Sequence, residues 1–271
     1  MGSGIAETVA VSGFTVVLRS RTQSAADATV TSLEQSLNRK VEKGKWTDTE
    51  RDEALARVTA TSELAALEDV DLVIESVVED MEVKKELFRR LDRVTPDHAI
   101  LATNTSTLPV VELAMQTSRP DKVCGLHFFN PAPVMDLVEL VNPLTASDET
   151  ISAARLFAEG CGKTPIEVKD QAGFIVNALL FPYLNNAVRL YEQRMASVDD
   201  IDTAMRGGCG FPMGPFALLD LVGLDTSLAI LDALYDEFHD PNYAAVPLLR
   251  RMVTAQLLGR KSGRGFFDYP K

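Results

Sequence analysis

The feature that most restricts this chain is an alternation. Over its first two-thirds, short β-branched runs take turns with amphipathic stretches of helical period. Phe14-Thr15-Val16-Val17-Leu18 follows a Ser12-Gly13 break as a strand, and Ala25 to Val41 has helical spacing. Thr47-Asp48-Thr49-Glu50 matches a capping box, which predicts a helix from there to about Val58. The run Asp71-Leu72-Val73-Ile74-Glu75-Ser76-Val77-Val78 is nearly continuous in apolar residues, as in a strand covered on both faces of a parallel sheet. A charged helix from Val83 to Val94, a strand from Ala99 to Thr103 and a short helix beginning near Pro109 continue the rhythm. Val123 to Phe129, Leu137 to Val141 and Pro165 to Val168 read as further strands. Strands alternating with helices predict a doubly wound α/β sheet.

After about Lys169 the rhythm changes. Gly173 to Arg194, Val198 to Met205, Phe216 to Phe238 and Val246 to Leu258 all carry helical spacing, with Gly/Pro-rich breaks between them. The predicted architecture is an α/β domain over residues 1–169 followed by an all-helical domain over residues 170–271. A length of 271 residues suits two modest domains.

Composition narrows the function. At 46% hydrophobic and 24% charged, the chain is that of an ordinary globular protein, not a disordered or fibrous one. No apolar run approaches the roughly 20 residues of a membrane helix. The opening residues lack the charged and apolar regions of a signal peptide. The formal net charge of −12 argues against general nucleic-acid binding, which depends on neutralising phosphates. A ligand bearing a few phosphates remains compatible with that charge. Cys124, Cys161 and Cys209 form no CxxC pair and no disulfide framework, so buried or partly buried reduced thiols in a cytoplasmic protein are expected.

Doubly wound domains that bind dinucleotides open with a strand and a G-x-G-x-x-G turn into the first helix. This chain opens inside that element, with Gly2-Ser3-Gly4-Ile5-Ala6 beginning the helix and Gly2 in the third glycine position. A Rossmann-type domain lacking its first strand is therefore expected, with residues upstream of Met1 supplying the strand and the first two glycines. The next strand ends at Leu18-Arg19-Ser20-Arg21, where the ribose-reading residue belongs. An acidic residue there would accept from the ribose 2′-hydroxyl and repel a 2′-phosphate. Ser20 carries no such charge, and Arg19 or Arg21 can pair with a phosphate. Both NAD and NADP thus stay open as cofactors, as does a reading of the arginines as solvated loop charges.

Polar groups gather in one apolar region. They are Thr103-Asn104-Thr105-Ser106, His127-Phe128-Phe129-Asn130-Pro131 and Leu137-Val138-Glu139-Leu140. Of three histidines, His98 and His239 lie in turn-like sequence, and His127 alone ends an apolar strand. Glu139 is flanked by Leu137, Val138, Leu140 and Val141, which draw its carboxylate into the interior, where it needs a partner. A hairpin-like return after Asn130-Pro131-Ala132-Pro133 can bring it to His127. A histidine held by a carboxylate has a fixed orientation and a stabilised imidazolium, as a general base requires. A purely structural pair uses the same contact.

These strings resemble the L-3-hydroxyacyl-CoA dehydrogenase family, in particular its bacterial 3-hydroxybutyryl-CoA dehydrogenases. The resemblance rests on Thr103-Asn104-Thr105-Ser106, on His127 through Met135 with Glu139, and on Asp170-Gln171-Ala172-Gly173-Phe174-Ile175-Val176-Asn177. Gly214-Pro215-Phe216 and Gly259-Arg260-Lys261-Ser262-Gly263-Arg264-Gly265-Phe266 extend it to nearly the whole chain. Two departures stand out: the missing first glycines, and Ser20 where the family usually has an acidic residue. The resemblance implies a homodimer joined largely through the helical domain. It also implies oxidation of a 3-hydroxyacyl-CoA with His127 as base and Glu139 as its orienting partner. Ser106 and Asn177 would bind substrate, and Asn130 would support His127. Gly2, Ser20, Arg21, Glu79, Lys84, Ser106 and Lys261 match cofactor positions, and Ser36 and Lys43 match coenzyme A positions. On physical grounds alone, Lys43 and Lys45 are equally well solvated charges beside Gly44.

Two other readings share the scaffold. A hydroxy-acid or sugar-acid dehydrogenase would keep His127 and Glu139 but need no coenzyme A site. A dinucleotide-binding protein without catalysis is the reading from outside the enzymes, and His127, Glu139, Ser106 and Asn177 together argue against it.

Overall fold

A computed structural model of the protein, which describes residues 1–269, divides into two compact units, Met1–Asp170 and Gln171–Lys271. The first is a Rossmann-like α/β unit and the second is helical. In chain order the first contains α1 (Gly2–Val11), β1 (Val16–Arg19), α2 (Gln23–Glu42), α3 (Asp48–Ala56), β2 (Val58–Thr61) and β3 (Leu72–Glu75). It continues through α4 (Met81–Val94), β4 (Ile100–Thr103), α5 (Val110–Ala114), β5 (Val123–Phe128), β6 (Leu137–Asn142), α6 (Asp148–Gly160) and β7 (Thr164–Lys169). The second holds α7 (Val176–Glu192), α8 (Val198–Cys209), α9 (Pro215–Val222), α10 (Leu224–Phe238) and α11 (Pro247–Thr254).

Among the described residues the strands form two sheets. β1 pairs with β2 in parallel, and a five-stranded sheet runs β3-β4-β5-β6-β7. The latter is parallel except for β5 and β6, which pair antiparallel with Gly125 opposite Val141 and His127 opposite Glu139. Gly125 is required at its position, because a Cβ there would lie 2.6 Å from Val141 Cβ. On one face, Leu126, Phe128, Val138 and Leu140 pack with Ile5 and Val9 of α1 and with Ile151 and Ala154 of α6. Each fully buried leucine of this kind contributes about 1.5–3 kcal/mol. Leu18 joins Leu33 and Leu37 of α2 in a separate cluster.

Local chemistry sets most boundaries. Thr47 and Glu50 complete the capping box that starts α3, and Thr22, Asp80 and Ser147 cap α2, α4 and α6. Three differences from the sequence expectation have physical causes. The run 71–78 is a strand only over Leu72–Glu75, because Glu75 turns its carboxylate onto the Val77 N–H and leaves Val77 and Val78 exposed. β2 escapes notice in the sequence, since Val-Thr-Ala-Thr is short and only half covered. The helix expected over Phe216 to Phe238 is two helices, broken at Gly223, whose φ of 103° belongs to glycine.

In the second unit, Phe181, Leu184 and Val188 of α7 pack with Phe216 and Leu219 of α9 and with Leu231 and Leu234 of α10. No helix of the described residues is long and apolar enough to cross a membrane. Cys124 and Cys161 are buried, and burial pushes their thiols up to about 12 and about 11. Cys209 is exposed, contrary to the expectation of covered thiols, because it ends α8 beside an αL Gly210.

Candidate active site

His127 and Glu139 face each other across the only antiparallel pair of the five-stranded sheet. His127 Nδ1 and Glu139 Oε2 are 2.7 Å apart, with Glu139 fully buried and His127 5% exposed. The return between the strands contains a cis Asn130–Pro131 bond, and Phe129 lies against the His127 ring at 4.6 Å. A carboxylate at this distance accepts a hydrogen bond from Nδ1–H, which leaves Nε2 as the basic ring nitrogen. It also offsets positive charge on the ring. Asn130 is exposed at the start of that return. Lys163, 9% exposed, holds the same loop from beneath, donating to the Ala132 and Met135 carbonyls at 2.8 and 2.9 Å. Burial lowers the Lys163 ammonium from its ordinary range.

A second network organises the segment around Ser106. Lys84 is 1% exposed and Glu75 3%, and the Lys84 ammonium lies 2.8 and 2.9 Å from the two Glu75 carboxylate oxygens. Thr103 Oγ1 donates to Glu75 Oε2 at 2.7 Å. Glu79 lies 3.3 Å from the same ammonium and accepts from Thr105 Oγ1 at 2.5 Å and from the Ser106 N–H at 2.8 Å. Glu79 and Lys84 thus fix the backbone of Ser106, whose side chain is half-buried at the end of β4. Nothing in the sequence assigns Glu75 a functional role. It carries the same signal as Glu139, a carboxylate inside an apolar run. Asp170 opens the motif that runs to Asn177. It accepts from the Val110 and Val111 N–H groups and so caps α5, although burial pushes its carboxyl up against the pull of those bonds.

The remaining expected positions lie elsewhere. Gly2 begins α1, and a Cβ on it would meet Ser76 Oγ at 3.0 Å, so this helix end approaches the loop after β3 closely. Ser20 and Arg21 follow β1. Arg19 Nε donates to the Ser62 carbonyl, which leaves Arg21, exposed, as the cation beside Ser20. Ser36 is half-buried on α2, and Lys43, exposed, ends that helix two turns later on the same face. These residues suit a dinucleotide: a helix N-terminus for phosphate, a strand end for the ribose, and polar groups at the carboxyl ends of β3 and β4. In the helical unit, Asn177 is 8% exposed in the first turn of α7, and Lys261 pairs with Asp225 at 2.5 Å. His98 and His239 are exposed, in keeping with their turn-like sequence.

Residues 1–171 match the 3-hydroxyacyl-CoA dehydrogenase, NAD binding domain family, and residues 173–269 match the 3-hydroxyacyl-CoA dehydrogenase, C-terminal domain family. A 3-hydroxybutyryl-CoA dehydrogenase of Clostridioides difficile is 47% identical over 271 residues, covering 100% of this chain and 96% of the relative. One from Mycobacterium tuberculosis is 48% identical, covering 99% and 95%. The crystal structure of (S)-3-hydroxybutyryl-CoA dehydrogenase from Ralstonia eutropha superposes with a TM-score of 0.97 at 42% identity, covering 100% of this chain and 96% of that one.

Proposed function

Because the chain belongs to the 3-hydroxyacyl-CoA dehydrogenase family, we propose that it interconverts (S)-3-hydroxyacyl-CoA and 3-oxoacyl-CoA, with 3-hydroxybutyryl-CoA as its substrate. The observation that carries this reading is the 2.7 Å contact between His127 Nδ1 and a fully buried Glu139. His127 takes the hydroxyl proton of the substrate on Nε2 during oxidation and returns it during reduction. Glu139 fixes the ring and balances its charge in the protonated state. A bound nicotinamide dinucleotide supplies hydride transfer at C3. Ser106, with its backbone anchored by Glu79, hydrogen-bonds the substrate oxygen, and Asn130 supports the loop beside His127. Asn177 contributes a substrate contact, as its motif implies. Ser36 and Lys43 hold the coenzyme A moiety, for which their shared face on α2 and the Lys43 charge are suited.

The dinucleotide is held by the N-terminus of α1 at Gly2, by Ser20 and Arg21, and by the segment that Glu79 and Lys84 organise; Lys261 matches a cofactor position by its motif. Ser20 beside Arg21 favours acceptance of a 2′-phosphate, so the enzyme uses NADP(H) at least as well as NAD(H). It works as a homodimer built on the helical unit, where Leu179 and Met195 are 72% and 71% exposed. Steady-state reduction of acetoacetyl-CoA with NADH and with NADPH tests the reading. Turnover of acetoacetyl-CoA but not of free acetoacetate supports it; turnover of neither removes it.

A further inference from the structure

Lys163 takes no part in the steps assigned above, yet it is a covered charge set against the loop that follows the base. Local structure fixes its place. α6 ends at Gly160, Gly162 takes a left-handed φ of 68°, and the Lys163 N–H returns to the Ala158 carbonyl at 3.0 Å. The side chain, 9% exposed, then reaches the Ala132 and Met135 carbonyls with its ammonium at 2.8 and 2.9 Å. Burial lowers the ammonium pKa against the opposing pull of Asp136, so the charge is kept here at a cost.

The loop 129–136, which joins β5 to β6, has little core of its own. Ala132 is its one buried side chain, and Val134 and Met135 are 70% and 41% exposed. Its internal bonds gather on the Pro131 carbonyl, which accepts from the Val134 and Met135 N–H groups at 2.9 and 3.0 Å. Lys163 ties the two sides of that turn together, one carbonyl on each. Just before the turn stand Asn130 and Phe129, and the Phe129 ring lies 4.6 Å from the His127 ring. A shift of the turn is thus passed through two residues to the group that faces the base.

We propose that Lys163 is a positioning residue for the reaction: by holding the Ala132 and Met135 carbonyls it keeps Phe129 against His127, and so keeps Nε2 directed at the substrate hydroxyl. The inference rests on the dehydrogenase reading. Glu139 restrains the imidazole at Nδ1, and Phe129 restrains its face. A general base acts only within hydrogen-bond reach of its proton, and a misplacement of about 1 Å costs on the order of 10²-fold in rate. The loop is separate from Ser36 and Lys43 on α2, so its displacement acts on turnover and not on capture of the coenzyme A moiety.

Steady-state reduction of acetoacetyl-CoA is compared in the unmodified protein, Lys163→Met and Lys163→Gln, each checked for folding by circular dichroism at the assay temperature. Lys163→Met keeps an unbranched side chain and removes every donor. It is expected to lose about tenfold or more in kcat, with KM for acetoacetyl-CoA and for the reduced dinucleotide within about twofold. Lys163→Gln, which keeps an amide donor without the charge, is expected to fall between the two and serves if the methionine variant does not fold. Unchanged kcat in a folded variant overturns the proposal, because Lys163 then only stabilises the loop. A change carried mainly by KM also overturns it. If the unmodified protein turns over no acetoacetyl-CoA, the dehydrogenase reading itself fails and takes the proposal with it.

Discussion

Lys163 reaches from the segment before β7 to the loop that follows His127, where its ammonium donates to the Ala132 carbonyl at 2.8 Å and the Met135 carbonyl at 2.9 Å. Replacing it by Met leaves both carbonyls without that donor, at a cost of about 1–3 kcal/mol. The pH dependence has a definite sign. Burial lowers the Lys163 pKa in the folded protein, so the penalty for burying the charge is fully present below that lowered value. It is relieved as pH rises toward the ordinary lysine range. The stability difference between the protein and Lys163→Met, from urea unfolding, is expected to widen between about pH 7.5 and about pH 10, as the reference lysine pKa is approached. A difference that narrows over that interval would contradict the assignment.

His127→Gln and Glu139→Gln are expected to fold and to lose about 10²–10⁴-fold in turnover, the usual contribution of general acid–base catalysis. The buried contact between the two side chains is the ground for this. Circular dichroism establishes the fold and steady-state rates the loss. Near-normal turnover by folded His127→Gln would remove the histidine from the mechanism.

Glu75 and Lys84 form an ion pair with both side chains almost entirely covered. Lys84→Met leaves a carboxylate buried without its cation, at a cost of about 3–5 kcal/mol. The double variant Glu75→Gln with Lys84→Met is expected to recover most of that loss. Thermal melts check the pair, since 1 kcal/mol corresponds to roughly 2–4 °C in a domain of this size. Equal loss in single and double variants would show that the pairing itself is not the source.

Ser20 stands beside the exposed Arg21 at the end of β1. Ser20→Asp is expected to shift the ratio of kcat/KM values toward NADH by about tenfold or more, through repulsion of the 2′-phosphate. Strong NADH selectivity before substitution would leave Arg21 as a surface charge.

The sequence by itself determined the alternation of strands and helices, the change to an all-helical pattern, and the capping box at Thr47 and Glu50. These follow from period, apolarity and hydrogen bonds spanning only three or four residues. It also exposed Glu139, because a carboxylate inside an apolar strand demands a partner wherever the strand lies. What only the tertiary structure decided were relations set by strand register. The antiparallel turn at β5 and β6 places His127 opposite Glu139 and brings Gly125 against Val141. The split of one apolar stretch at Gly223 and the short β2 depend on packing that no local pattern records. The same holds for Lys84. Its ammonium, matched by resemblance to a cofactor position, pairs with Glu75 and Glu79, a contact between α4 and the segment after β3 that no local pattern records. Asn104 shows the limit most clearly: a strand-end asparagine is unremarkable until the pairing of β4 with β5 brings its side-chain oxygen to the Phe128 N–H.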